Sequence, residues 1–240
     1  MRHFFSVLGG MGTMATESYI RILNQRTPAK KDQDYLNYIL VNHATVPDRT
    51  TYLLDHSQPN FLPDLLEDVQ QQNLLKPDFM VMVCNTAHYF YDELAAASDV
   101  PFLNMPQETV RALQKRYPQA KRIGLAATSG TINSQVYHKY IADAGLTEVD
   151  PTPAIQEKIN RLIYQSIKEE QGAVDATLYH EILADMMHDL NVDVIILGCT
   201  ELSLAQEKAP NHQYPVADSQ SIIADRSLEL ALELRKNKIV

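Results

Sequence analysis

Phe79-Met80-Val81-Met82-Val83-Cys84-Asn85-Thr86 is an unbroken apolar run closed by a cysteine and two short polar side chains, and Val194-Ile195-Ile196-Leu197-Gly198-Cys199-Thr200 repeats the arrangement in the second half of the chain. Short runs of this kind, rich in Val, Ile and Leu and without polar alternation, read as strands buried on both faces of a parallel sheet. Each has an earlier companion. A strand at His3–Leu8 leads into Gly9-Gly10-Met11-Gly12-Thr13, and a strand at Ile123–Ala126 leads into Ala127-Thr128-Ser129-Gly130-Thr131. Thr13 precedes Cys84 by 71 positions and Thr131 precedes Cys199 by 68, so the two halves carry the same parts at nearly the same separation. The pattern predicts an α/β fold of two similar, pseudo-symmetric lobes, each a mainly parallel sheet flanked by helices, with the active site in the cleft between them.

Working outward, further strands are expected at Leu36–Val41, Phe102–Leu103 and Tyr214–Val216. Helices are expected over Met14–Arg26, Asn60–Leu75, Tyr89–Ala97, Gln107–Arg116, Asn133–Ala144, Ile155–Glu170, Ala176–Leu190 and Ser219–Lys236. The proline-bearing segments Pro101–Pro106 and Pro210–Pro215 are the natural crossings between lobes, because proline ends regular elements. The first lobe is accordingly set at 1–103 plus 217–240, with the final helix returning to it, and the second at 104–216.

The 240 residues are 45% hydrophobic and 21% charged, a balance that builds a packed core rather than a disordered chain. A formal charge of −9 with no Lys/Arg cluster argues against nucleic acid as a partner. The apolar run near the N-terminus is too short for a signal h-region, and no stretch approaches the roughly 20 apolar residues of a membrane span. A cytoplasmic protein without a membrane partner is expected. Two cysteines far apart give no CxxC spacing, and a structural disulfide is improbable in a reducing compartment.

Each cysteine follows a buried strand and precedes a helix, which sets it at the carboxyl end of a parallel sheet, where open α/β folds bind ligands. A helix start stabilises a thiolate and also binds a carboxylate. A single cysteine there is ordinarily core filling; the matched pair is what points to chemistry. Equivalent strand ends facing across a cleft put one thiol on each face of a small substrate, an arrangement suited to inversion at an acidic carbon. Asn85, Thr86 and Thr200 offer polar groups for the α-carboxylate and α-amino end. The glycine-flanked turn around Met11 lets backbone approach a small ligand, and Thr128 stands in the matching turn of the other half; the first turn lacks the full G-x-G-x-x-G pattern of a dinucleotide loop. Arg49, in Val46-Pro47-Asp48-Arg49-Thr50, sits on a loop at the same sheet edge as Cys84 and can grip a carboxylate with two parallel bonds. Glu201 is either a proton partner of Cys199 or a plain helix N-terminal acid, and spacing alone does not bring Lys168 to the site. No carboxylate or second histidine falls at ligand spacing around His43 or His88, so no metal is expected.

With these residues assembled, the chain resembles the aspartate/glutamate racemase family, in particular its aspartate racemase branch. Six ordered blocks carry the likeness: LGGMGTMAT at Leu8–Thr16, TPAKKDQ at Thr27–Gln33, VPDRT at Val46–Thr50, CNTAH at Cys84–His88, ATSGT at Ala127–Thr131 and GCTELS at Gly198–Ser203. Glu201 stands where glutamate racemases of cell-wall synthesis typically have His, which favours the aspartate branch. Thr13 and Val83 stand where the family often has Pro. The resemblance implies a two-lobed homodimer, catalysis without pyridoxal phosphate, metal or other cofactor, and Cys84 and Cys199 as the two acid/base residues. It further implies that Arg49 and Lys168 contact the substrate's side-chain carboxylate, with Asn85, Thr86 and Thr200 at the α-carboxylate end. Aspartate is the expected substrate. Glutamate or a broader set of amino acids, a maleate isomerase, hydantoin racemase or arylmalonate decarboxylase activity, and a non-catalytic amino-acid-binding role are the alternatives; a decarboxylase of this kind needs only one cysteine.

Overall fold

The computed structural model describes residues 1–237, so residues 238–240, assigned above to the end of the first lobe, lie outside the described residues. Among the described residues, eight strands form two four-stranded sheets, each parallel throughout. The first contains β1 (Phe5–Gly9), β2 (Tyr38–Asn42), β3 (Met80–Met82) and β4 (Phe102–Leu103) in the order β2-β1-β3-β4. The second contains β5 (Arg122–Ala126), β6 (Thr147–Val149), β7 (Val194–Leu197) and β8 (Val216–Asp218) in the order β6-β5-β7-β8. The topologies are the same. In each sheet the chain steps outward from its first strand, then returns to the other side, so the order reverses between β1 and β3 and again between β5 and β7. Ligands of open α/β sheets bind at the carboxyl ends of the strands flanking such a reversal.

Burial explains the unalternated strand sequences. Phe79, Val81 and Val83 pack into one core and Met80, Met82 and Cys84 into the core on the opposite face of the first sheet. Val194 and Ile196 face one core of the second sheet while Ile195, Leu197 and Cys199 face the other. The two-residue period of a strand thus continues two positions past β3 and β7 and decides which face each cysteine takes. The C-terminal helix Ser219–Asn237 contributes Ile223 and Ala224 to the core under Phe5, Tyr19 and Phe79, and Tyr19 donates a hydrogen bond to Ser227 at 2.9 Å.

Several elements depart from the sequence reading. Arg49 is not on a loop: it opens a helix, Arg49–Leu54, whose N-cap Asp48 accepts the Thr51 amide at 2.8 Å. The helix expected over Asn133–Ala144 is two short helices, Ser129–Asn133 and His138–Asp143, with Gln135 between them at φ 55°. Ile155–Glu170 is an α-helix, Pro153–Asn160, that runs into a π-helix, Arg161–Lys168. The strand β6 was not anticipated, and β8 lies two residues beyond the expected Tyr214–Val216.

Candidate active site

The loops after β1, β3, β5 and β7 converge on one small cavity, about 270 Å³ of empty space, lined by Met11, Arg49, Cys84, Asn85, Thr86, Thr128, Lys168, Cys199, Thr200 and Glu201. Every residue that the sequence analysis assigns to the site therefore lines it. Asp48, Thr50 and Tyr164 line it as well and were missed. A larger cavity, about 600 Å³, lies at the amino ends of β1 and β3 among Phe4, Phe5, Leu36 and Phe79, away from both cysteines. Chemistry rather than size marks the site.

The turn after β1 needs glycine. Gly10 has φ +91°, and a Cβ there would stand 2.5 Å from the His43 carbonyl carbon. That close approach keeps Met11 near the end of β2, and the Met11 carbonyl accepts a hydrogen bond from Arg49 Nη2 at 3.1 Å. Arg49 Nη1 donates to the carbonyls of Val46 and Pro47, each at 3.1 Å. The guanidinium is thus buried on a rack of backbone oxygens, and its Nε has no hydrogen-bond partner among the described residues. Buried donors are normally satisfied, so this buried, unpaired N–H is an exception to the rule.

Cys84 and Cys199 are both free thiols and equally buried, each 5% exposed. Their surroundings differ. Cys199 Sγ donates to Glu201 Oε2 at 2.9 Å, and Thr200 Oγ1 donates to the same oxygen at 3.3 Å. Burial, then the Glu201 carboxylate, drive the Cys199 thiol well above the usual thiol range. Burial also raises Cys84, but the Arg49 charge and the Ala87 amide pull it back, while Glu201 acts on it more weakly. After Cys84 the chain enters a 3₁₀ turn, Thr86–Phe90, before the Tyr91–Ala97 helix. Cys199 is itself the N-cap of the Thr200–Lys208 helix.

Lys168 reaches the cavity from the π-helix, with Nζ 4.8 Å from the centre of the Tyr164 ring, 3.9 Å from Asp48 Oδ2 and 4.0 Å from Glu201 Oε1. Burial disfavours its charge, yet Glu201, Cys199 and Tyr164 outweigh burial and its affinity for the proton rises. Tyr164 is pushed up to about 12, chiefly by burial. Asp48 is held low against its burial by the Thr51 amide and by Lys168 and Arg49. The missed Tyr164 carried a signal: it precedes Lys168 by four residues, the spacing of side chains sharing one helix face.

The polar residues expected at the α-carboxylate end already have protein partners. Thr86 Oγ1 shares hydrogen bonds with Thr128 Oγ1 at 3.1 Å and Thr131 Oγ1 at 2.9 Å, tying the end of β3 to the turn after β5. Asn85 Nδ2 donates to Ser219 Oγ at 3.0 Å, and its Oδ1 accepts the Tyr137 hydroxyl at 2.5 Å. His88 Nε2 accepts the Met105 amide at 3.1 Å, which leaves Nδ1–H to donate to the Cys84 carbonyl at 2.8 Å. His43 pairs with buried Asp68 at 3.0 Å, a carboxylate brought from 25 residues away, and no group of three or more metal-ligating side chains occurs among the described residues.

Two thiols from equivalent strand ends, together with two cations, in one cavity of a duplicated α/β fold define an amino-acid racemase, an isomerase. The comparisons agree: the chain belongs to the Asp/Glu/Hydantoin racemase family, whose model matches residues 8–226. It is similar to the broad specificity amino-acid racemase RacX of Bacillus subtilis (strain 168), 27% identical over 235 residues that cover 94% of this chain and 97% of that one. A glutamate racemase of Haemophilus ducreyi is 28% identical over 172 residues, 67% of this chain and 60% of that protein. Among solved structures, Picrophilus torridus aspartate racemase superposes with a TM-score of 0.79 at 27% identity, covering 95% of this chain and 94% of that one. No helix among the described residues is long and apolar enough to cross a membrane.

Proposed function

We propose that this protein interconverts the enantiomers of aspartate by a two-base mechanism in which Cys84 and Cys199 act from opposite faces of Cα. The observation that carries it is that both thiols, each from the end of an equivalent strand, line the same small cavity. One sulfur, as thiolate, removes the α-proton; the other, as thiol, delivers its proton to the opposite face, and the roles exchange for the reverse reaction. Negative charge builds on the α-carboxylate as the proton leaves, and backbone amides at the start of the Thr200–Lys208 helix, with Thr200 and the Thr86–Thr128 pair, are suited to hydrogen-bond it. The Arg49 guanidinium and the ammonium of Lys168, both in the cavity lining, supply cationic charge for the β-carboxylate.

The same reading takes 1–103 with 217–240 as the first lobe and 104–216 as the second, and describes a cytoplasmic homodimer that needs no cofactor. Glutamate is the second substrate to test, because relatives named glutamate racemase align with two thirds of the chain.

Purified protein is incubated with L-aspartate, L-glutamate or L-alanine without added cofactor, and the enantiomers are resolved by chiral chromatography. D-aspartate is expected to form fastest. Arg49→Ala is expected to weaken binding of aspartate by about 1.5–3 kcal/mol, the worth of a charged hydrogen bond, and to leave alanine nearly unaffected. Equal losses on both amino acids would contradict a role for Arg49 at the distal carboxylate.

A further inference from the structure

The two thiols are equivalent by fold and inequivalent by surroundings. Cys199 gives its S–H to a carboxylate at 2.9 Å, whereas Cys84 has no carboxylate partner within hydrogen-bond distance among the described residues. The Glu201 carboxylate is itself fixed. It is 3% exposed, it takes the Thr200 hydroxyl on the same oxygen, and its other oxygen faces Lys168 at 4.0 Å. It also occupies the space left by a missing side chain, since a Cβ on Gly12 would stand 3.2 Å from Oε1. A carboxylate that accepts an S–H stabilises the thiol and opposes the thiolate, while a guanidinium does the reverse.

We infer that Glu201 is a positioning residue that keeps the proton on Cys199, so that Cys84 is the first base and Cys199 the first acid of the site. This rests on the two-thiol reading above. The charged and titratable groups acting on Cys84 are Arg49, Lys168 and Glu201, and those acting on Cys199 are Glu201 and Lys168, with the neutral phenols of Tyr164 and Tyr137 near it. Glu201 bears on both sulfurs, but it hydrogen-bonds only Cys199. The first proton the site loses therefore comes from Cys84, and the enantiomer whose Cα–H faces Cys84 meets the base on its own side. The other needs the thiolate on Cys199, which Glu201 opposes.

Thiol alkylation measures the asymmetry without turnover. With iodoacetamide the thiolate sulfur forms a bond to the methylene carbon as the carbon–iodine bond breaks and iodide leaves. The two cysteine residues have the same overall exposure, and the pH at which each labelling profile rises reports thiolate formation separately from access. Labelling of the intact protein at a series of pH values, mapped by peptide mass spectrometry, is expected to mark Cys84 about tenfold or more faster than Cys199, with the Cys84 profile rising at lower pH. Glu201→Gln removes the charge and is expected to bring the Cys199 profile toward that of Cys84. Glu201→Asp, which keeps the charge but shortens its reach, should fall between. Cys199 labelled first or at an equal rate in the wild type would overturn the inference, as would an unmoved Cys199 profile in a folded Glu201→Gln protein. If that variant does not fold, the wild-type order and the Asp variant decide. If no amino acid is racemised while Cys84 is still labelled first, the functional reading fails and the proton assignment stands.

Discussion

His88 shows how a single side chain supports this site without touching a ligand. It bridges the Cys84 carbonyl and the Met105 amide, and the Met105 bond requires an unprotonated Nε2, so the imidazole is neutral. Burial holds its pKa down to about 4, against about 6.5 in the unfolded chain. The unfolded state therefore binds the extra proton. The stabilisation is fully present above about pH 6.5 and is lost progressively as pH falls toward 4, an effect of at most about 3 kcal/mol. Urea unfolding across pH 4–7.5 should show the wild type losing its margin over His88→Gln as the solution is acidified; parallel curves would remove His88 from the account. No residue pattern announces this strut, because both partners are backbone groups brought together only by the fold. Cys84, Cys199 and Arg49 were legible because their chemistry is local to a strand end or a short block. Asp48 was legible only as a neighbour of Arg49, although an Asp three residues before Thr51 is an N-cap signal.

At the scale of elements, the short helices Arg49–Leu54 and Ser129–Asn133 join the two sheets directly over the cavity. Gly130 allows it: a Cβ there would stand 2.8 Å from both the Cα and the Oγ1 of Thr50. Gly130→Val must push the Arg49 helix away, at a cost of about 1–3 kcal/mol in unfolding free energy. It is also expected to raise KM for aspartate, since Asp48 and Arg49 move with that helix. Normal stability together with an unchanged KM would show that the contact is slack. The strands flanking each cysteine and most long helices were readable from apolar runs and period, whereas these two small helices were not, for neither has an amphipathic repeat of its own. The π-helix is the deeper case. Its i→i+5 bonds, such as Glu169 to Tyr164 at 3.0 Å, depend on packing rather than periodicity, and they carry Tyr164 and Lys168 to the cavity wall. Strand β6 was missed because Thr147–Val149 is a three-residue edge strand with one apolar side chain.

Across the whole molecule, the duplicated 2-1-3-4 strand order brings four loops to one place and leaves their chemistry unequal. The halves are clasped around the cavity by the Thr86–Thr128–Thr131 cluster and by Asn85 with Tyr137. On the outside, Arg21 grips Glu207 through two bonds of 2.8 and 2.9 Å, linking the first long helix to the one that Cys199 caps. The spacing of motifs in the two halves anticipated the duplication, but composition and period say nothing about which side chains meet across it. The most direct test of two-thiol inversion is proton exchange at Cα in D₂O, followed by NMR for L- and D-aspartate, comparing wild type with Cys84→Ser and Cys199→Ser. The wild type is predicted to put deuterium into the product enantiomer, and each serine variant to lose inversion while retaining exchange on one enantiomer only, a different one for each variant. Inversion that survives in either variant, or exchange of the same enantiomer by both, would contradict two opposed thiols acting on one carbon.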